Sequence, residues 1–197
     1  MTEGTEGEAY ARRLEMAQLV WWKRVVPVQL PYRWNLRRQR LGRTLDVGCG
    51  LGRNLAHLPK GSVGVDHNAR AVEVARSRGL DALTVEEFER DASAKRSRFD
   101  SILLAHIVEH LSPGDADALV ASYLPYLRPG GSVFIVCPQE RGYRSDPTHV
   151  WFADGPDLEA LCRRAGLIPV KAFSFPFPRR LGKTFIYNET CILASRP

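Results

Sequence analysis

Residues 44–54 read T-L-D-V-G-C-G-L-G-R-N, a short apolar segment followed by three glycines at alternate positions and then by a helix-like segment. Glycines such as Gly48 and Gly50 have no Cβ atom, so the backbone can turn tightly and lie against a ligand. A dinucleotide site needs G-x-G-x-x-G, whereas the third glycine here, Gly52, comes one residue early. The stretch therefore predicts a nucleotide at the end of a strand and weakens an oxidoreductase interpretation.

A carboxylate follows this loop at the spacing that nucleotide-binding folds use. Residues 62–66 read S-V-G-V-D, which predicts a second strand that ends in Asp66, about 20 residues beyond the loop. At this position a carboxylate accepts hydrogen bonds from ribose hydroxyls. Two further strands are predicted at residues 99–105 and 132–136, the second after the turn sequence L-R-P-G-G.

These four features in this order resemble the class I S-adenosylmethionine-dependent methyltransferases, over roughly residues 45–167. The resemblance implies an α/β, Rossmann-like fold, with a mostly parallel seven-stranded sheet, helices on both faces and a terminal antiparallel hairpin. It also implies S-adenosylmethionine as the cofactor. The predicted cofactor-binding residues are Asp46, Gly48, Gly50, Asp66, His67 and Ala105.

Composition agrees with one globular domain over residues 1–197, with 44% hydrophobic and 25% charged residues. No apolar run reaches the roughly 18 residues that span a bilayer, and the acidic start lacks the features of a signal peptide, so a cytoplasmic protein is expected. The four cysteines are scattered and are expected to be buried free thiols. The net charge of +6, with arginines clustered in residues 33–43 and 179–183, leaves nucleic acid open as a partner, although a solvated face is the simpler explanation.

The remaining pattern predicts the helices and the last strands. Apolar residues at helical spacing predict a helix over residues 8–26 that stops at Pro27, and residues 27–40 are then a connector. Segment 1–42 is expected to cover the active site. Asn68 and Gly79 would cap a helix over 68–78. Further predictions are a strand at 80–85, a helix or loop at 86–98, helices at 115–127 and 157–165, and a strand pair at 167–174 and 185–194.

The fourth predicted strand is followed by H-I-V-E-H, which contains His106, Glu109 and His110. On a helix the two histidines are one turn apart and can face the same way. H-x-x-E-H is also a zinc signature of peptidases, but a peptidase helix does not explain the glycine loop or Asp66. The ending E-H-L recurs in methyltransferases without a metal. We still predict a divalent-ion site here, such as one for Mg²⁺, with these three residues as its ligands.

The loop after the fifth predicted strand carries Asp146 and His149. A hydroxyl acceptor is a poor nucleophile and needs a base, whereas the sulfonium cofactor already has an excellent leaving group. His149 is the predicted base, and Asp146 is predicted to orient it or to join the metal. The alternative is a turn that Asp146 and Thr148 build around Pro147, with His149 packed under Trp151.

Two segments, G-Y-x-x-D-x-T-H-V at residues 142–150 and Y-R-W-N-L-R-R at 32–38, resemble small bacterial methyltransferases of sugars and polysaccharide ends, in particular those of methylmannose polysaccharide synthesis. This resemblance implies O-methylation of a mannoside hydroxyl, with a small-molecule or oligosaccharide acceptor. Small-molecule N- or C-methylation and RNA methylation remain alternatives, although the N/D-P-P-Y/F motif of amino-methylating nucleic-acid enzymes is absent after the fourth strand. A non-catalytic subunit and a homodimer also stay open.

Overall fold

The computed structural model describes residues 29–90 and 96–197. In this part of the chain one sheet contains seven strands, in the order β3-β2-β1-β4-β5-β7-β6. The strands are β1 (Thr44–Val47), β2 (Val63–Asp66), β3 (Ala82–Thr84), β4 (Phe99–Ala105), β5 (Leu127–Pro138), β6 (Ile168–Phe175) and β7 (Glu189–Ser195). The predicted helix over residues 8–26 lies outside the described residues.

The first five strands run parallel, and β7 pairs antiparallel with both β5 and β6. The predicted Rossmann-like methyltransferase fold, with its terminal antiparallel hairpin, is therefore confirmed. The carboxyl ends of β1, β2, β4 and β5 meet at one edge of the sheet. Since β7 runs in the opposite direction, its first residue, Glu189, pairs with Pro138 at the end of β5 and lies at this same edge.

The described helices are α1 (Gln29–Arg38), α2 (Ala69–Ser77), α3 (Val85–Arg90), α4 (Pro113–Tyr123), the single turn α5 (Glu140–Tyr143) and α6 (Gly155–Arg164). Short 3₁₀ turns cover Leu55–His57, Val108–His110, Leu124–Tyr126 and Arg179–Lys183. No helix in the described ranges is long and apolar enough to cross a membrane.

Strand β4 shows how the sheet is covered on both faces. Ile102 and Leu104 point to one face, where they share a core with residues of α3, α4 and α6. Leu103 points to the other face and packs with Leu36 of α1. This alternation follows from the two-residue period of a strand, and each such leucine contributes about 1.5–3 kcal/mol by its burial.

Most element boundaries agree with the sequence prediction. Asn68 caps α2 by accepting a hydrogen bond from the Ala71 amide at 3.1 Å, and Gly79 follows with a positive φ of 77°. Helix α6 begins at Gly155 because Asp154 forms a capping box with Asp157.

Several predicted segments differ from the structure, among them the strand predicted from residue 185, which begins at Glu189. Residues 29–38 form helix α1 rather than a connector, because Pro31 falls in its first turn, where a missing amide removes no helical hydrogen bond. The predicted helix over 115–127 ends as an α-helix at Tyr123, two residues before Pro125. Strand β5 takes in residues 127–131, which were expected to form a turn.

Candidate active site

The glycine loop is fixed to the end of β2 by backbone hydrogen bonds. The amides of Gly48 and Cys49 donate to the carbonyl oxygen of Val65 at 2.8 and 3.1 Å. Gly48 has φ of 72°, and a Cβ there would come within 2.7 Å of Ile107 Cδ1. A Cβ on Gly50, which has φ of 52°, would meet no atom within 4 Å. The loop therefore packs against the segment after β4 at Gly48, whereas the space beside Gly50 contains no other described atom.

Asp66 lies at the end of β2 and uses both carboxylate oxygens within the loop. Oδ2 accepts from the Gly50 amide at 2.8 Å, and Oδ1 accepts from the Asn68 amide at 2.9 Å. Each oxygen keeps lone-pair capacity for a further donor, such as a ribose hydroxyl. The neighbouring His67 is 83% exposed, with Nδ1 3.5 Å from Oδ1 of Asp66. This arrangement fits the ligand role predicted for Asp66.

Asp46 is almost fully buried in β1, and its Oδ2 has no hydrogen-bond partner among the described residues. Burial, together with the negative charge of Asp66, raises the pKa of Asp46 to about 8. An unpaired buried carboxyl oxygen is costly, and a cationic group beside it would remove that cost. S-adenosylmethionine carries positive charge, so the loop, Asp46 and Asp66 fit this cofactor. The half-buried Ala105 ends the adjacent strand β4.

His106 does not lie beside His110 on one helix face, as the sequence predicted. Its φ is 59°, and only Val108–His110 of this stretch is helical, so His106 and His110 do not share a helix face. Its Nδ1 donates to Glu109 Oε1 at 3.1 Å, and its Nε2 donates to Glu189 Oε1 at 2.8 Å. Although loss of hydration lowers the pKa of His106, these two carboxylates raise it to about 10. Both ring nitrogens are therefore occupied, and His106 is not placed to bind a metal as predicted.

Glu109 is 1% exposed and accepts the His106 hydrogen bond through Oε1 alone. Burial acts to raise the pKa of Glu109, but the bond and the charge of His106 hold it below its usual range, so this carboxylate is ionised. Its Oε2 has no hydrogen-bond partner among the described residues. The Cys137 thiol lies against Glu109: burial, the charge of Glu109 and a hydrogen bond to its carboxylate raise the pKa of the thiol well above its usual value, but a thiol is only a weak donor.

His149 takes the place beside Glu109 and His110 that was predicted for His106. The ring centroids of His110 and His149 are 4.8 Å apart. One ligand atom from each of Glu109, His110 and His149 lies within 4.8 Å of the others. The backbone joins the two segments, since the amides of Val150 and Trp151 donate to the Glu109 carbonyl oxygen at 2.7 and 3.1 Å.

Hydrogen bonds to the backbone set the tautomers of both histidines. His149 Nδ1 lies 2.7 Å from the Tyr143 carbonyl oxygen, which can only accept, so Nδ1 carries the proton. His110 Nδ1 lies 3.2 Å from both the carbonyl oxygen and Oγ1 of Thr148. In the neutral ring Nε2 of each histidine is then the free acceptor.

The Asp146 carboxylate is linked to His110 through Thr148, and Asp146 contacts His149 only through its backbone, since its carbonyl oxygen accepts from the His149 amide at 3.3 Å. Its Oδ1 accepts from the Thr148 amide at 2.9 Å and from Thr148 Oγ1 at 2.7 Å. Thr148 Oγ1 thereby turns a lone pair toward Nδ1 of His110. The turn around Pro147 that was weighed as an alternative is present. The roles of Tyr143 and Glu189, and the contact of Thr148 with His110, had not been predicted, and Glu189 lies 83 residues from its partner His106.

Comparison with known proteins agrees with this geometry. The sequence matches a family model described as a methyltransferase domain over residues 22–172. No protein of curated function matches the chain.

Solved structures share the fold at low identity. One is described as a possible histamine N-methyltransferase from Thermotoga maritima, at 18% identity over 95% of this chain and 98% of that one, with a TM-score of 0.70. Another comes from a complex with the Trm112 methyltransferase activator of Haloferax volcanii, at 16% identity, 98% coverage of both chains and a TM-score of 0.70. Magnesium protoporphyrin IX methyltransferase of Synechocystis with bound S-adenosylmethionine aligns at 14% identity over 86% of this chain and 82% of that one, with a TM-score of 0.58.

The family match spans more than half of the chain and includes every part of the site except Glu189. It covers the glycine loop, Asp66 and the cluster of Glu109, His110 and His149. The chain therefore belongs to the methyltransferase domain family, and it is a class I S-adenosylmethionine-dependent methyltransferase.

Proposed function

We propose that this methyltransferase acts on a hydroxyl group, in particular that of a sugar or polysaccharide such as a mannoside. The observation that carries the proposal is the fixed tautomer of His149. Its Nδ1 proton is held by the Tyr143 carbonyl oxygen at 2.7 Å, which leaves Nε2 as a proton acceptor. Histidine is the most frequent general base in enzymes, and a hydroxyl is the kind of acceptor that needs one.

His149 is joined to the cofactor loop by a short series of contacts. Gly48 packs closely against Ile107, and the next residues of that turn lead to Glu109 and His110. Glu109 holds the backbone of the His149 loop, and the ring of His110 contacts the ring of His149. The base would thus stand at the sheet edge where Asp46, Asp66 and Gly50 would hold the cofactor. When bound, S-adenosylmethionine supplies an electrophilic methyl group on a sulfonium.

An aromatic surface at the same edge supports an uncharged acceptor. Trp34 of α1 is 54% exposed and stacks on Phe175, the last residue of β6, with centroids 6.2 Å apart. The Tyr32 hydroxyl donates to the carbonyl oxygen of Tyr187 at 2.6 Å, which ties α1 to the segment before β7. The Arg38 guanidinium lies over the Trp34 ring, 5.1 Å from its centroid, so the exposed part of the ring stands beside N–H donors that a sugar hydroxyl can accept from. Helix α1 is also the described part of the segment 1–42 that we expect to cover the site.

RNA is the runner-up acceptor, favoured by a basic cleft of about 490 Å³ that is lined in part by Arg37, Arg40 and His57. Guanidinium groups of this kind contact phosphates in nucleic-acid enzymes. The relative described as a possible histamine N-methyltransferase instead favours N-methylation of a small amine, which has its own lone pair and does not need His149.

A panel of acceptors tests the proposal. The purified protein would be incubated with S-adenosylmethionine labelled in its methyl group and with mannosides, phenols, amines or RNA. We expect label on a mannoside oxygen, and we expect the His149→Ala variant to lose it while a His57→Ala control keeps it. Transfer to an amine or to RNA, with turnover independent of His149, would establish the alternative instead.

A further inference from the structure

We propose that Glu109, His110 and His149 bind one divalent transition-metal ion. One ligand atom from each of these residues lies within 4.8 Å of the other two. Two imidazoles and one carboxylate are the ligand set of many protein sites for such ions, which leave further coordination positions for water or substrate. The ion that we infer differs from the magnesium expected from the sequence, and the ligands differ too, because His149 replaces His106.

Both histidines are oriented as metal-bound histidines are. Each places Nδ1 against backbone carbonyl oxygen, from Tyr143 for His149 and from Thr148 for His110. A metal-binding imidazole characteristically donates its other ring proton to a carbonyl or carboxylate, which fixes the ring and makes the free nitrogen a better ligand. The Asp146 carboxylate supports this arrangement for His110 through Thr148 Oγ1 at 2.7 Å.

The third donor is an unsatisfied buried oxygen. Oε2 of Glu109 has no hydrogen-bond partner among the described residues, in a side chain that is 1% exposed. A buried carboxylate oxygen without a partner costs free energy, and a cation bound to it would remove that cost. Oε1 is meanwhile held by His106, so Glu109 presents one oxygen in a fixed direction.

The donor set decides which ion is expected. Imidazole nitrogen suits ions such as Zn²⁺, Co²⁺, Fe²⁺ and Ni²⁺, whereas Mg²⁺ prefers an octahedron of oxygen ligands. Ligands about 2.1 Å from a tetrahedral ion lie roughly 3.4 Å apart. The ligand atoms, which lie within 4.8 Å of one another, would therefore approach by up to about 1.4 Å on binding. Side-chain rotation in the half-buried His110 and His149 allows this movement.

The proposal that an ion binds here does not depend on the proposed function. The chemical role of the ion does, because it requires a hydroxyl acceptor. An ion on Nε2 of His149 would occupy the atom that otherwise accepts the proton. It would then lower the pKa of a bound hydroxyl as a Lewis acid, with the proton released to solvent water, so that activation of the acceptor still depends on His149 as a ligand.

Cobalt titration of the full-length protein, without any acceptor, tests the site directly. We expect Co²⁺ to give visible absorption bands that saturate at one equivalent, and Zn²⁺ to displace it, while millimolar Mg²⁺ does not. Glu109→Gln, His110→Ala and His149→Ala should each weaken Co²⁺ binding at least tenfold. His57→Ala and the surface variant Glu73→Gln are the matched controls and should bind as the wild type does.

Two further measurements separate the outcomes. Calorimetry with S-adenosylmethionine shows that each variant is folded and retains its cofactor site. Thermal unfolding should show that Zn²⁺ raises the melting temperature of the wild type and not that of the three ligand variants. Absence of saturable Co²⁺ binding in a protein that binds S-adenosylmethionine, or binding that survives all three substitutions, would overturn the metal site. Neither result would affect the hydroxyl acceptor, which the methyl-transfer panel tests separately.

Discussion

The backbone amide of Gly50 donates a hydrogen bond of 2.8 Å to Oδ2 of Asp66, so the second strand holds the glycine loop of the first. The carboxylate predicted to bind ribose therefore has a structural task as well. Its other oxygen accepts from the Asn68 amide at the start of α2. The predicted ribose contact and the observed support of the loop therefore depend on the same carboxylate.

Asp66→Ala should weaken S-adenosylmethionine binding by several kcal/mol, because charge-assisted hydrogen bonds contribute about 1.5–3 kcal/mol each. Isothermal titration calorimetry measures the change. Asp66→Asn retains one acceptor oxygen and should fall between the alanine variant and the wild type. Glu73→Ala on the exposed face of α2 removes the same charge and should leave the affinity unchanged. Full affinity in the alanine variant would remove Asp66 from the cofactor site.

The buried Asp46 should make the ligand-free protein less stable as the pH rises. Its pKa is raised to about 8 from the ordinary value of 3.8, so the folded state keeps a proton that the unfolded state releases between these values. Folding stability therefore falls as the pH increases through this window and stays low above about pH 8. Asp46→Asn removes the titration, so its melting temperature relative to the wild type should be higher at pH 8.5 than at pH 5. An equal difference at both pH values would contradict the raised pKa.

The same group predicts proton release on cofactor binding. A cation beside Asp46 favours its ionised form, so S-adenosylmethionine should displace a proton at pH 7. The observed binding enthalpy should then differ between phosphate and Tris buffers by the difference in their ionisation enthalpies. Asp46→Asn should bind the cofactor more weakly and show no buffer dependence.

The fold was predictable because its signals are local. A glycine loop after an apolar strand, a carboxylate at the next strand end and a helix cap at Asn68 each depend on a few neighbouring residues. Helix α1 was missed because Pro27 and Pro31 suggested a connector, although proline is tolerated in a first helical turn.

The sequence predicted which residues meet at the candidate site only in part, and it did not predict which of them are hydrogen-bonded to each other. The sequence placed Glu109, His110 and His149 near the cofactor, yet assigned His106 to their group on the assumption of a helix. A positive φ at His106 instead turns its ring toward Glu189, which the antiparallel strand β7 brings to the same edge. A contact across 83 residues leaves no local pattern in a single sequence. The hydrogen bonds from Asp146 through Thr148 to His110 likewise could not be predicted, because they depend on how the loop folds back onto a segment 38 residues earlier.

An uncharged acceptor predicts weak dependence of activity on salt. Between 50 and 200 mM salt we expect kcat/KM on a mannoside to change less than about threefold. An RNA acceptor with several phosphate contacts would instead lose on the order of 10³-fold or more in affinity over this range. Arg37→Ala and Arg40→Ala in the basic cleft should leave mannoside turnover intact. A steep salt slope that these substitutions flatten would favour the RNA alternative.

Thr148 should act as a positioning residue for His110. Thr148→Val keeps the shape of the side chain but removes the hydroxyl that joins Asp146 to Nδ1 of His110 at 3.2 Å. We expect turnover to fall about tenfold with little change in cofactor affinity, since partners of this kind typically contribute 10–100-fold. Thr148→Ser restores the hydroxyl and should recover most of the activity. A valine variant as active as the wild type would show that the link is only part of the turn.

His149 is the residue on which the proposed chemistry depends most. Its Nε2 is free to accept a proton, or to bind an ion that acidifies the acceptor, and both routes activate the same hydroxyl. His149→Ala should therefore lower kcat by roughly a hundredfold or more, as loss of a general base typically does, while the Kd for S-adenosylmethionine stays nearly constant. Comparison of turnover in chelator and with added Zn²⁺ then separates the routes, because only the metal route loses activity in chelator and regains it with the ion. Near-normal kcat in the alanine variant would show that His149 has no part in the mechanism, and it would favour an acceptor that needs no base, such as an amine.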